Sequence, residues 1–205
     1  MNYLKTLGFA AVAAAALIAF LGAGTASATV LCTNTPSPGT HCARKEGVNQ
    51  ILDASGQGAL VFLTTSGTTV STCTEGTIKS KITNAGSTTE TVKGNMDGLT
   101  WGGCTTTTDT LANGTLEVHH ESGTDNGTVT SSGSEVTIRF LGVSCRYKTN
   151  NTDIGTLTGG NPATLDIEAI VPPGPGNPLG CPDHLVWKGD YTFTTPSGTL
   201  QVAAG

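Results

Sequence analysis

Strict two-residue alternation of apolar and polar side chains is the feature that most restricts the fold of this chain. In ATLDIEAIV (163–171), Leu165, Ile167, Ala169 and Val171 fall on one face, and Asp166 and Glu168 on the other. In HLVWKGDYTF (184–193), Leu185, Trp187, Tyr191 and Phe193 share a face opposite Val186, Lys188, Asp190 and Thr192. A period of two belongs to a β-strand, whereas a helix repeats every 3.6 residues. Thr, which is β-branched and suits a pleated, half-wet surface, occurs 35 times after residue 28. No window carries a capped helical stripe, and Asn-Gly and Gly-Gly pairs punctuate the alternating runs. The pattern predicts an all-β fold.

Shifts of parity refine this expectation. In EVTIRF, Val136, Ile138 and Phe140 point one way, but after Gly142 the apolar set becomes Val143, Cys145 and Tyr147. In TVKGNMDGLTWGG, Val92 and Met96 give way to Leu99 and Trp101 across Gly98. Read as β-bulges at Gly98 and Gly142, the shifts let strands bend from one sheet toward another. The expected architecture is therefore a single β-sandwich, with Greek-key or jelly-roll-like connections. The run VPPGPGNPLGCP (171–182) is expected to be a loop, because its prolines remove backbone donors.

The N-terminus reads as a secretory leader. Lys5 precedes an apolar run over residues 7–21, and Ala26-Ser27-Ala28 supplies the small residues a signal peptidase recognises. The run is short for a membrane span. The division expected is a signal peptide over 1–28, cleaved near Ala28, and one domain over 29–205, with no membrane span in the mature chain.

Six cysteines, Cys32, Cys42, Cys73, Cys104, Cys145 and Cys181, form no C-x-x-C pair. In an exported chain an even count reads as a disulfide framework. The pairing favoured joins neighbours in sequence: Cys32–Cys42, Cys73–Cys104 and Cys145–Cys181. Without Lys5, nine Lys and Arg face fifteen Asp and Glu. An acidic chain with scattered cations lacks the electrostatic footprint of a nucleic-acid binder.

Candidate chemistry concentrates in LEVHHES (116–122), where two of the four histidines lie between glutamates. On a strand, Glu117, His119 and Glu121 form one row with neighbours about 7 Å apart. Such a row meets a divalent ion only with help from another strand. It is read as a solvated face and as the one place to look for a metal. His120 points toward the edge of the core. Asp166 and Glu168 also share a face, but paired carboxylates for glycoside hydrolysis need one partly buried member, and these face away from the apolar set. Asp125-Asn126-Gly127 reads as a hairpin turn rather than a calcium loop. The mature chain contains no G-x-S-x-G, H-E-x-x-H or S-x-x-K motif. No catalytic residue and no cofactor is expected.

Several longer strings carry a resemblance: GAGTASATVLC, GTLEVHH, SSGSEVTI with GVSCRY, and GTLTGGNPATLDIEA followed by CP and VWKGDYTF. Over nearly the whole mature chain these resemble a group of small, secreted, β-rich actinobacterial proteins. The resemblance implies export from a bacterial cell and carries no activity with it. The functional expectation is a secreted, non-enzymatic protein of the envelope or medium, with a cell-surface or polysaccharide partner. A carbohydrate- or small-ligand-binding module is the alternative, and a secreted hydrolase a more distant one.

Overall fold

Wherever the sequence alternates, the chain is extended. A computed structural model describes residues 28–33, 42 and 44–205, so the expected leader lies outside the described residues except for Ala28. The strands are β1 (Thr29–Cys32), β2 (Ile51–Thr64), β3 (Thr69–Cys73), β4 (Glu75–Ala85), β5 (Val92–Gly102), β6 (Thr108–Ala112) and β7 (Thr115–His120). They continue as β8 (Gly127–Ser132), β9 (Glu135–Phe140), β10 (Val143–Lys148), β11 (Thr152–Thr158), β12 (Thr164–Val171), β13 (Leu185–Thr195) and β14 (Gln201–Ala204). No helix is found among the described residues.

Eight of the strands close into a barrel rather than a sandwich. β2, β4, β5, β7, β8, β11, β12 and β13 pair in that order, each antiparallel to its neighbour, and β13 pairs back onto β2 from Leu185↔Thr64 to Thr195↔Asp53. Barrel neighbours follow one another in chain order, so the path is an up-and-down meander and not a Greek key or jelly roll. The bulges expected to turn strands between two sheets instead curve a single sheet until its ends meet. One lies beside Gly98, where Lys79↔Gly98 steps to Ser80↔Met96 and leaves Asp97 unmatched. Others interrupt the β13–β2 ladder. β3 runs along the edge of β2 that β4 uses, continuing the line of β4.

The shift at Gly142 has a different cause. Phe140 pairs with Val143, so Leu141-Gly142 is a two-residue hairpin turn, with φ of 47° and 88°. A two-residue turn brings its flanking residues to one face, which in sequence looks the same as a bulge. β6, β9 and β10 form a separate three-stranded sheet, and β1 and β14 a separate pair.

These two appendages stop the ends of the barrel. At one end Phe62, Trp101, Leu185 and Trp187 meet Val136 and Tyr147 of the small sheet around a residual cavity of about 20 Å³. Phe62, Trp101 and Trp187 pack with ring centroids 4.9–6.3 Å apart. At the other end Leu31 of β1 lies with Leu52, Ile82, Val92, Val118 and Phe193 around a cavity of about 40 Å³. Eight strands enclose an interior that side chains can just fill. Near the middle, Gly76 and Gly189 leave room for Leu60, with which a Cβ at either position would collide.

All six cysteines are bonded, Cys32 to Cys42, Cys73 to Cys104 and Cys145 to Cys181. The first holds the β1 cap. The second ties the end of β3 to the segment after β5. The third fixes the 172–184 loop to β10.

Candidate functional site

β7 lies between β5 and β8, and its alternation is resolved as the parity requires. Val118 is buried opposite Val92 and Val129. Glu117 points outward opposite Lys93 and Thr130, and His119 opposite Thr128. The Thr91 hydroxyl donates to Glu117 Oε1, Lys93 Nζ stands 3.5 Å from the same oxygen, and His119 Nε2 stands 4.0 Å from it. Partial burial alone would raise the Glu117 carboxyl. The Thr91 hydrogen bond and the charges of Lys93 and His119 outweigh it, and the group titrates below its ordinary range. A carboxylate held ionised in this way is a weak base, so the pair does not make Thr91 a nucleophile.

The row does not converge into a metal site. β7 ends at His120, and Glu121 already belongs to the turn, where its backbone N–H donates to Asn126 O and its carboxylate accepts from Thr128 Oγ1 at 3.4 Å. Among the described residues no three His, Cys, Asp or Glu side chains are placed to share an ion. His120 is half-buried at the edge of the core. Its backbone N–H donates to Thr29 Oγ1 at 2.8 Å, and its Nε2 donates to Thr124 O at 2.9 Å, which sets its tautomer. Asp125 and Asn126 act through the same turn: Asp125 O accepts from Val202 N, and Asn126 Oδ1 from Gly159 N.

Beside Glu117 the outer surface carries a hollow of about 210 Å³, lined by Thr83, Lys93, Asn95, Thr115, Thr130 and Ser132 among others. It opens where β5 and β7 part company after Asn95↔Thr115. Hydroxyls, an amide and one lysine–glutamate pair make it a hydrogen-bonding surface. A wider polar groove of about 490 Å³ lies between Arg44, Lys45, Glu46 and the Pro196-Ser197 turn.

The carboxylates of the hydrolase alternative are placed differently from that chemistry. Glu168 is ion-paired with Lys188 on the neighbouring strand. Asp166 lies directly opposite Asp190, a partner that side-chain parity alone does not pick out because the β12–β13 register decides it. Desolvation, then the charge and hydrogen bonding of Asp190, push the Asp166 carboxyl upward. Both residues stand on an exposed convex face. Two carboxylates are buried among the described residues, Glu46 and Glu135. Alternation in EVTIRF puts Glu135 on the outward face with Thr137 and Arg139. The structure nevertheless buries it, because Arg146 and Lys148 of the neighbouring strand cover its carboxylate. Glu135 is the one beside the small sheet's cavity. It accepts from Arg146 Nε at 2.7 Å, is also paired with Arg146 Nη2, and has Lys148 Nζ at 4.0 Å. Its cations join strands, and the adjoining cavity of about 20 Å³ admits no substrate.

On the outward face, hydroxyl residues align in register across neighbouring strands. Thr158, Thr164, Thr192, Ser55, Thr77 and Thr100 are successive cross-strand partners from β11 round to β5. Thr77 and Thr100 share a 2.7 Å hydrogen bond. Compared with known proteins, the chain matches no family model, no curated protein and no solved structure.

Proposed function

We propose that this chain is a secreted, non-enzymatic protein that acts at or beyond the envelope of a bacterial cell and meets its partners through the outside of a self-capped barrel. The observation that carries the reading is the occupied interior. Barrels that serve as ligand containers keep a cavity on the order of hundreds of Å³, and here caps at both ends leave about 40 and 20 Å³. Three disulfides and the Ala26-Ser27-Ala28 leader support an oxidising destination. Among the described residues no helix is long and apolar enough to cross a membrane. The resemblance to secreted actinobacterial proteins belongs to the same reading. Intact-mass and N-terminal analysis of protein from the culture medium tests it. The expected species starts at Thr29 and lacks six hydrogens relative to the reduced chain; retention in the cytoplasm with free thiols would refute it.

A second reading rests on the hollow beside Glu117. Its hydroxyls, Asn95 amide and Lys93–Glu117 pair suit a neutral polyhydroxylated unit, as at the end of a cell-wall or capsular glycan. Calorimetric titration with such oligosaccharides, repeated on Lys93→Ala and Thr130→Val, decides it. Binding that both substitutions leave unchanged would move the site elsewhere.

A further inference from the structure

The leader read from Ala26-Ser27-Ala28 is cut between Ala28 and Thr29, and the fold leaves no slack beyond that bond. Thr29, Val30 and Cys32 are 0% exposed and Leu31 is 1% exposed. The first residue of the released chain is thus already an interior residue, with no exposed spacer between the cut and the cap.

Both edges of β1 are taken. On one side it pairs with β14 from Thr29↔Ala204 to Cys32↔Gln201, and Gly205 N donates to Ala28 O at 3.1 Å. On the other side Thr29 N donates to Glu90 O at 3.1 Å, and Leu31 O accepts from Glu46 N at 2.8 Å. His120 N donates to Thr29 Oγ1 at 2.8 Å. The turn after β4 closes over the same point, where a Cβ on Gly86 would lie 1.8 Å from Thr29 O. The oxygen and the N–H of the Ala28–Thr29 amide are therefore both engaged within the protein.

A peptidase acts on a segment that lies extended in its cleft and offers a free edge for backbone hydrogen bonds. The carbonyl oxygen must also turn to the donors that stabilise the tetrahedral intermediate. While β1 is docked, Ala28 and Thr29 meet neither condition. We propose that leader removal is confined to a chain in which β1 has not yet joined β14, so that cutting comes first and cap closure second. A precursor that folds early keeps its leader. The bond broken is the amide between Ala28 and Thr29; water gives its hydroxyl to the Ala28 carboxyl and its hydrogen to the Thr29 amine. β14 follows every barrel strand in the chain, so β1 lacks its ladder partner until the rest has appeared. Once the cap is shut, freeing the bond means exposing Val30 and Leu31, each worth about tenfold or more in the opening equilibrium. Cutting then follows the small population of locally opened molecules, about one in a hundred or fewer. The proposal rests on the exported-chain reading above.

The test is digestion of the full-length precursor by purified signal peptidase in detergent micelles, followed by N-terminal sequencing. Precursor freshly diluted from urea and kept reduced is expected to be cut before Thr29. Oxidised, folded precursor should be cut about a hundredfold more slowly. A short Thr-Ser-Gly-Ser spacer inserted between Ala28 and Thr29 keeps the residues that the peptidase reads and moves the bond clear of β1. The folded spacer precursor should be cut as fast as the unfolded wild type, at an unchanged melting temperature. The proposal falls if folded and unfolded wild-type precursors are cut at similar rates. It also falls if the folded spacer precursor resists like the wild type, because burial of the bond is then not the cause. An unfolded precursor that is not cut at all removes the leader reading and the proposal together, a result distinct from failure of the proposal alone.

Discussion

Trp187, 7% exposed, packs against Phe62, Trp101 and Tyr191, while Lys188 faces solvent and pairs with Glu168. Trp187→Ala is expected to lower unfolding free energy by about 3–5 kcal/mol. Lys188→Ala should lower it by less than about 0.5 kcal/mol, because an exposed pair contributes little. Urea titration of both variants checks the contrast. Asp166 gives a prediction of opposite sign. Its folded carboxyl titrates above the reference value of 3.8, so ionisation is harder in the folded than in the unfolded chain. Stability then falls as pH rises through the unfolded and folded pKa values. Asp166→Asn should therefore melt higher than wild type at neutral pH, by an amount worth about 0.2–0.5 kcal/mol, with the gain vanishing below about pH 4. A gain that persisted in acid would mean that Asp190 is not its cause. The inward parity of Trp187 is legible because alternation is local. The meeting of Asp166 with Asp190 is not, since cross-strand register depends on the connection between two strands.

β1 shows how much a short element can carry. All four of its residues are buried, it pairs with β14, and Leu31 closes the end of the barrel. Leu31→Ala should enlarge the existing cavity and cost about 2–5 kcal/mol. Thermal melts should show that loss with the barrel's strand signal retained below the transition. β1 was hard to recognise as structure, because four residues beside a leader carry too little alternation to stand out. The turn at Leu141-Gly142 was hidden for another reason. The parity shift was visible, but a bulge and a two-residue turn shift parity alike, and the leucine argued against a left-handed turn.

At the scale of the molecule, strands and disulfide partners were within reach of the sequence and closure was not. Sandwich and barrel share the same alternation, the same glycine punctuation and the same β-branched composition. They differ in whether the last long strand finds the first, here β13 on β2, across more than half the chain. The bridge between Cys73 and Cys104, with a sequence separation of 31, closes a loop that contains β4 and β5. Replacing both cysteines with serine should cost about 3–4 kcal/mol through the freer unfolded chain, measured by urea titration as a lower midpoint with a slope that rises because the unlinked chain exposes more surface.

Ring closure also sets an order of events. A chain that emerges N-terminus first, from a ribosome or a translocation channel, can zip β2 to β4 and onward as each strand appears, yet β2 keeps one edge bare until residues 185–195 arrive. For most of its synthesis or passage the growing sheet exposes two unpaired edges, the condition under which strands recruit other chains. Arrival of the WKGDYTF segment removes both edges in one step, so a product truncated before it would be a sticky open sheet, and a whole one a surface with no barrel edge to offer.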